Sequence, residues 1–305
     1  MKTNAARITD PILTGIVQGY SNEAFVYTEL APHVMTPTRG GVTVKFGKEH
    51  FQVGGLVRAP GADAKRINFG YAGDPYSTIE HTLEATVERN ASQEAAAGPG
   101  LNLASEAVTG VFEIIQNDTE YNVATVLRNA ANYGAANKKT LTGSDKWSDP
   151  SSDIIGQIRA AAEAIRAATG RKPNKMLVGA KLWNVMQDHP QIVGRISDNV
   201  TRIATPELAA AVFGLEKVVI GGAVHTNEKG EQVDTWGGDA ILAYVTRNPA
   251  MRNPNFAYTY LLEGNPLVEE PYYENSARSW VYGVTKEYAP VVACNDAGFL
   301  FKNAA

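Results

Sequence analysis

The sequence predicts an α+β fold, on three observations. Helical and strand patterns cluster along the 305 residues instead of alternating strictly, which argues against a doubly wound parallel sheet. Between Tyr76 and Glu88 the pattern has period two: Ile79, His81, Leu83, Ala85 and Val87 take one face, and Glu80, Thr82, Glu84, Thr86 and Glu88 the other. That predicts a strand with an apolar side and a wet side. Val108, Val111, Phe112, Ile115, Val123, Leu127 and Ala130 are then spaced in threes and fours, the mark of a long amphipathic helix.

Residues 1–41 carry Pro11, Pro32 and Pro37 and no sustained periodicity, so they read as an extended arm that must lean on something else. Next, Val42, Val44 and Phe46 alternate with polar residues, Phe51 and Val53 continue the β character, and Gly54-Gly55 and Pro60-Gly61 break it near a tip holding Lys65 and Arg66. With Tyr76–Glu88 as its return, this is a candidate hairpin. The long helix follows Gly98-Pro99-Gly100; about thirty residues make a rod of roughly 45 Å, with Asn117-Asp118-Thr119 as the expected place for a bend.

A polar connector, GSDKWSDPSSD, signals the next helix start, and Ile154, Ile155, Ile158, Ala162 and Ile165 define that helix. Gly170 caps it and Pro173-Asn174 turns the chain. Met176-Leu177-Val178 is a short buried strand, and Leu182, Val185, Met186 and His189 fall at helical spacing until Pro190 stops them. A short helix from Pro206 to Phe213 precedes strands at Lys217–Ile220 and Ala240–Val245. The β pattern returns at Phe256–Leu262, Ala277–Val284 and Pro290–Cys294.

Composition narrows the function. The net charge of −4 gives the chain as a whole no electrostatic reason to seek nucleic acid or acidic lipid. The single cysteine, Cys294, excludes an internal disulfide and a cysteine-based zinc site, and reads as a buried structural thiol. The N-terminus lacks the apolar run of a signal peptide, and no membrane span is expected. G-x-S-x-G, H-E-x-x-H, C-x-x-C and EF-hand patterns are absent. GVTVKFGKE, from Gly41 to Glu49, misses a phosphate loop by its spacing and by Glu49 where a Ser or Thr belongs, and GPGLN follows no convincing strand. Asp188-His189 is the one pair suggesting acid/base or metal chemistry, and a histidine at a helix end beside proline is more often a cap. His81, on an apolar strand face with no second ligand at i+2, reads as a satisfied, partly buried histidine.

An arm, a polar-tipped hairpin and a rod, in that order, are hard to bury within one subunit and ask for neighbours. Three stretches carry the pattern further: NLASEAVTGVFEIIQNDTEYNVATVLRNAANYG, KWSDPSSDIIGQIRAAAEAIRAATGRKPNKMLVGAKLWNVMQDHPQI and YYENSARSWVYGVTKEYAPVV. With these parts the sequence resembles the major capsid proteins of tailed bacteriophages, which share the Hong Kong 97 capsid fold. The resemblance implies an N-terminal arm (1–41), an extended β-hairpin loop (42–89), a long spine helix with the first part of a peripheral domain (90–140), an axial domain (141–250) and the rest of the peripheral domain (251–305).

It also implies a role. The chain is expected to be a structural subunit, not an enzyme, needing no cofactor and no metal. It would assemble with itself into hexamers and pentamers of an icosahedral shell enclosing phage double-stranded DNA without sequence readout. Expected helpers are a scaffolding protein, because the arm is short, then a portal and a decoration protein, with assembly in the host bacterial cytoplasm and residence in the virion. Candidate intersubunit contacts are Lys45, Lys48, Phe51, Val53, Lys65, Arg66, Ile79, Leu83 and Val87; Leu177, Val178, Leu182, Trp183 and Met186 form the expected axial core. Lysines at a solvated tip are ordinary, so no Lys–Asn crosslink is assigned. An encapsulin-like compartment is the alternative within the fold, and a soluble α+β enzyme using Asp188 and His189 the alternative outside it.

Overall fold

The computed structural model describes residues 9–20, 22–23, 25–43, 60–61, 63, 73–97, 102–196, 204–250 and 255–305. The chain opens with helices α1 (Pro11–Gly19) and α2 (Tyr27–Leu30), then strands β1 (His33–Thr36), β2 (Gly40–Val42), β3 (Pro75–Ser77) and β4 (Ile79–Glu88). Helices α3 (Arg89–Ala97) and α4 (Leu103–Leu127) and strand β5 (Lys138–Thr140) follow. The middle holds α5 (Ile154–Thr169), β6 (Lys175–Gly179), α6 (Ala180–Gln187), α7 (Pro190–Ile196), α8 (Pro206–Phe213), β7 (Lys217–Gly221), β8 (Val224–Thr226), β9 (Gln232–Asp234) and β10 (Ala240–Ala243). Strands β11 (Ala257–Leu262), β12 (Leu267–Val268), β13 (Tyr272–Glu274), β14 (Ser279–Val292) and β15 (Gly298–Lys302) complete it.

Local chemistry sets the helix ends. Asp10 accepts from the amides of Ile12 and Leu13, and Pro11 occupies the first turn of α1, where its missing N–H costs nothing. Asp153 caps α5, and Gly170 ends it in the left-handed conformation at φ 67°. Thr205, Pro206 and Gly214 do the same for α8.

Two sheets organise the molecule. In the five-stranded sheet, ordered β5-β15-β10-β6-β7, the pairs β6–β7 and β5–β15 are parallel and the other two antiparallel. Both faces are covered. Met176 and Val178 point toward α5, α6, α7 and α8, in a core that includes Trp147, Ile158, Leu182, Trp183 and Met186. Leu177 and Ile241 point the other way, into a core shared with Val123 and Leu127 of α4 and Tyr27 and Leu30 of α2. Strand β14 is the axis of the second, six-stranded sheet: β4 pairs with it from Ile79 to Glu88, and β11, β12 and β13 share its opposite side. Helix α4 runs beneath both sheets, its first half packing with α1, Val268 and Val284, its last turns with the five-stranded sheet.

Several expectations change. The arm is not extended: α1 docks Leu13 and Val17 against Val108, Val111, Phe112 and Ile115 of its own chain. The Tyr76–Glu88 segment divides, because a short β2–β3 pair forms the hairpin root while β4 belongs to the six-stranded sheet. Helix α4 is 25 residues long, about 37 Å, and runs unbroken through Asn117–Thr119, where Thr119 Oγ1 donates back to the carbonyl of Ile115. The two strands expected at Ala277–Val284 and Pro290–Cys294 merge into one 14-residue strand, β14, from Ser279 to Val292. Pro290 fits because β4 pairing stops at Tyr288, so the missing N–H faces an unpaired side. Pro190 opens α7 instead of merely ending α6. Strand β15 lies inside the five-stranded sheet, between β5 and β10.

Candidate assembly surfaces

The hairpin root is held at four points. Gly40–Val42 pairs antiparallel with Pro75–Ser77. Tyr76 stacks on Tyr260 of β11, ring centroids 4.0 Å apart and planes 6° apart, and its hydroxyl donates to Thr36 Oγ1 at 3.3 Å. Gly41 lies so close that a Cβ there would meet the Tyr76 hydroxyl at 2.8 Å. Arg39 reaches two carboxylates that stand opposite each other across β4 and β14: Glu80 at 3.2 Å and Glu287 at 3.0 Å. Glu287 is buried and also accepts from Thr78 Oγ1 at 2.7 Å, so the root is tied to the axis strand by charge and by a side-chain hydrogen bond.

The expected contact residues separate accordingly. Lys45, Lys48, Phe51, Val53, Lys65 and Arg66 lie outside the described residues. Ile79 and Leu83 are exposed, at 65% and 37% of their surface, whereas Val87 is buried within its own chain. Other large apolar side chains stand in water: Ile12 and Ile16 on α1, Ile114 and Tyr121 on α4, and Tyr272 and Trp280 on the β13–β14 hairpin. Ile114 and Tyr121 line a groove of about 700 Å³ between α4 and the β8–β9 hairpin, where the Tyr121 and His225 rings lie 4.5 Å apart. Leu177, Val178, Leu182, Trp183 and Met186 are all buried; Leu177 faces α2 and α4, and the other four face the helices.

Sequence reasoning missed a buried polar cluster where α2, α4 and β14 meet. Glu120 accepts three N–H donors: Val26 N at 3.3 Å, Tyr27 N at 3.0 Å and Trp236 Nε1 at 2.6 Å. Burial pushes its carboxyl above the ordinary range, although Tyr27, Trp236, Val26 and Lys286 all pull it back. Lys286 Nζ donates to Gln116 Oε1 at 2.6 Å, Thr119 Oγ1 at 3.1 Å and Tyr27 OH at 3.2 Å. Burial brings that amine down to about 7 against the pull of Asp118 and Glu120. Its signal is faint: Glu120 interrupts the apolar face between Ile115 and Val123, and Lys286 interrupts an otherwise buried strand. Nearby, Glu29 bridges Lys175 and Lys217, both at 2.6 Å, and these cations outweigh burial to hold it below the usual carboxylate range.

The Asp188-His189 pair does not exist as a site. Asp188 is exposed, while His189 is buried, accepting at Nδ1 from Gln191 N and facing Asp149 O at 3.1 Å and Ser152 Oγ at 3.2 Å with Nε2. It staples the 149–152 loop to the start of α7. His81 pairs with Asp118 at 3.1 Å and stacks on Tyr288. Among the described residues no helix is long and apolar enough to cross a membrane, and no three His, Cys, Asp or Glu side chains gather as metal ligands.

Residues 103–256, which span α4 and the five-stranded unit apart from β15, match the family described as Phage major capsid protein E. A major capsid protein of Burkholderia phage BcepMu is 33% identical over 300 residues, 96% of each chain. The chain belongs to the phage major capsid protein family. A crystal structure of a phage-related protein from Bordetella bronchiseptica RB50 superposes with a TM-score of 0.82 at 36% identity, covering 98% of both chains. The capsid of cyanophage P-SCSP1u, at 10% identity and a TM-score of 0.59 over 99% of this chain and 92% of that one, shares the fold alone. The phage capsid fold of the Hong Kong 97 type is therefore the architecture, and a structural capsid protein is what this family member is.

Proposed function

We propose that this chain is the repeating subunit of a phage head, assembling as hexamers and pentamers into an icosahedral shell around double-stranded DNA. The observation that carries the reading is the anchored hairpin root: Arg39, Tyr76 and Thr78 tie β2 and β3 to β11 and β14, giving the chain between Val42 and Pro75 a fixed point of departure and return. Ile79 and Leu83, exposed beside that root, are the described part of the surface a neighbouring copy covers. Many such moderate contacts repeated around closed rings hold a shell without any one of them being strong.

The net charge of −4 suits a container that encloses DNA without reading it. A scaffolding protein, a portal and a decoration protein are the proposed helpers, Lys45, Lys48, Phe51, Val53, Lys65 and Arg66 the proposed loop contacts, and the host bacterial cytoplasm the place of assembly. The chain is proposed to have no catalytic role, since His189 is consumed by structural hydrogen bonds. Electron microscopy of the purified full chain tests the reading, with closed shells or capsomer rings as the expected result. Particles filled with an enzyme and free of nucleic acid when isolated from the native source would favour a compartment instead. A monodisperse monomer at high concentration would overturn both.

A further inference from the structure

The polar cluster under β14 contains a mismatch that its geometry can resolve by moving protons. Lys286 is 1% exposed, and its amine has three oxygen acceptors, Gln116 Oε1, Thr119 Oγ1 and Tyr27 OH, with no carboxylate at ion-pair distance among the described residues. The Tyr27 and Tyr288 ring centroids lie 5.5 and 5.3 Å from Nζ. On its other side the Tyr27 hydroxyl meets His33 Nε2 at 2.9 Å. The hydroxyl therefore sits between two titratable nitrogens, one on β14 and one on β1.

Proton counting distinguishes three states. With Lys286 charged, all three N–H bonds donate, Tyr27 receives one of them, and its own O–H turns to an unprotonated His33 Nε2. With Lys286 neutral, the amine lone pair accepts from Tyr27 O–H, and His33 in its other tautomer donates Nε2–H to the phenol oxygen. Both states satisfy the Lys286 amine, the Tyr27 hydroxyl and His33 Nε2. With both nitrogens charged, two donors converge on one hydroxyl, whose proton has Gln116 Oε1 at 3.5 Å as its remaining acceptor, and two cations face each other in a buried site.

We propose that Lys286, Tyr27 and His33 form a proton-operated latch on the α2–β1 segment, closed while at most one of the two nitrogens is charged and released when both are. Tyr27 and His33 belong to the segment; Gln116, Thr119 and Lys286 belong to the α4–β14 body. The carboxylates of Asp118 and Glu120 pull on the Lys286 amine without pairing with it. Glu120 of α4 is taken up by three N–H donors, Asp118 of α4 by His81 of β4 and by Asn122, and Tyr288 of β14 is pushed up to about 12 by burial. Burial brings Lys286 to about 7, and burial together with Lys286 brings His33 to about 4. Both bases are depressed, so at these two groups an opened segment binds more protons than a closed one and acidification favours opening, while the raised Glu120 carboxyl, which holds the Val26 and Tyr27 amides, acts in the opposite sense. Strand β1 leads directly into Arg39 and the hairpin root, which puts the latch one element upstream of that root.

Amide hydrogen exchange on the full chain, corrected for the intrinsic pH dependence, tests this by comparing residues 27–36 with α5 as an internal control. Protection of 27–36 relative to α5 should fall by about tenfold or more between about pH 8 and about pH 4.5. In Lys286→Met the same change should shrink, because one of the two depressed bases is gone, while the His33 part persists because burial is its main cause. His33→Phe removes the other charge, should reduce the response to the part that Lys286 contributes, and decides the matter if the Met variant does not fold. The His33 ring should titrate well below its ordinary value in the wild type. A pH-independent segment, an unshifted His33, or the same slope in the wild type and the folded variants would overturn the latch.

Discussion

Replacing Glu120 is the sharpest probe of how the subunit holds together. Its two carboxylate oxygens collect the amides of Val26 and Tyr27 at the start of α2 and the indole of Trp236, so one side chain of α4 ties the N-terminal segment to the five-stranded unit. In Glu120→Ala all three donors lose their acceptor inside a core where Trp236 is 1% exposed. Each orphaned buried donor costs about 1–3 kcal/mol, but the losses are not additive, because water follows when α2 frays. A total of about 3–5 kcal/mol is expected, the range for breaking a buried charged network. Glu120→Gln keeps the shape and one oxygen; its amide would face Tyr27 N or Trp236 Nε1 as donor against donor, so the loss should be about 1–2 kcal/mol. Urea unfolding of unassembled subunits, followed by tryptophan fluorescence, measures both. The pH dependence supplies a second readout. Burial raises Glu120, so its contribution is greatest below the ordinary carboxylate pKa and is lost as pH rises through the raised value, and the wild type minus Gln difference must decline with pH in that window. An Ala variant destabilised by less than about 1 kcal/mol would refute the tie.

Other perturbations follow from the same geometry. Gly298→Ala would place a Cβ 2.2 Å from the ring of fully buried Phe256 and should cost about 1–3 kcal/mol, read as a lower urea midpoint at unchanged m-value. His189→Ala removes a buried staple with three polar contacts and should cost about 2–3 kcal/mol with no change in any turnover, more than the few tenths expected of an exposed helix cap. Arg39→Ala leaves buried Glu287 with Thr78 as its side-chain partner; thermal unfolding should shift down by about 1–3 kcal/mol equivalent, and assembly yield should fall with it. Ile79→Asp with Leu83→Asp alters exposed positions, so circular dichroism should stay native within about 1 kcal/mol of stability while shell yield collapses.

The parts legible in the sequence are those fixed by local chemistry. Asp153 and Gly170 bracket α5, and Thr205, Pro206 and Gly214 bracket α8, because caps act within a few residues. The alternation of Ile79 to Glu88 is a true strand, and the threes and fours after Val108 a true helix. What escaped is non-local. Gly298–Lys302 is a short apolar run whose place between β5 and β10 depends on partners more than fifty residues away. Leu13 and Val17 could be assigned to a helix by Asp10-Pro11 but not to α4, since the docking partner is invisible in a short window. Glu120 and Lys286 read as breaks in apolar patterns, and only their assembly from three elements makes them a network. His189 misled for a related reason: its partners at Asp149 and Ser152 lie about forty residues upstream.

The hairpin is the element proposed to join subunits. Residues 45–72 of the purified chain can be replaced by a short Gly-Ser linker that keeps Val42, Thr43, Asp74 and Pro75, and so preserves the root pairing and the bond from Thr43 N to Asp74 O. Electron microscopy of this variant beside the full chain is the decisive measurement: the full chain should form closed shells, and the folded variant, by circular dichroism, should form none. Normal shells from the variant would contradict the claim.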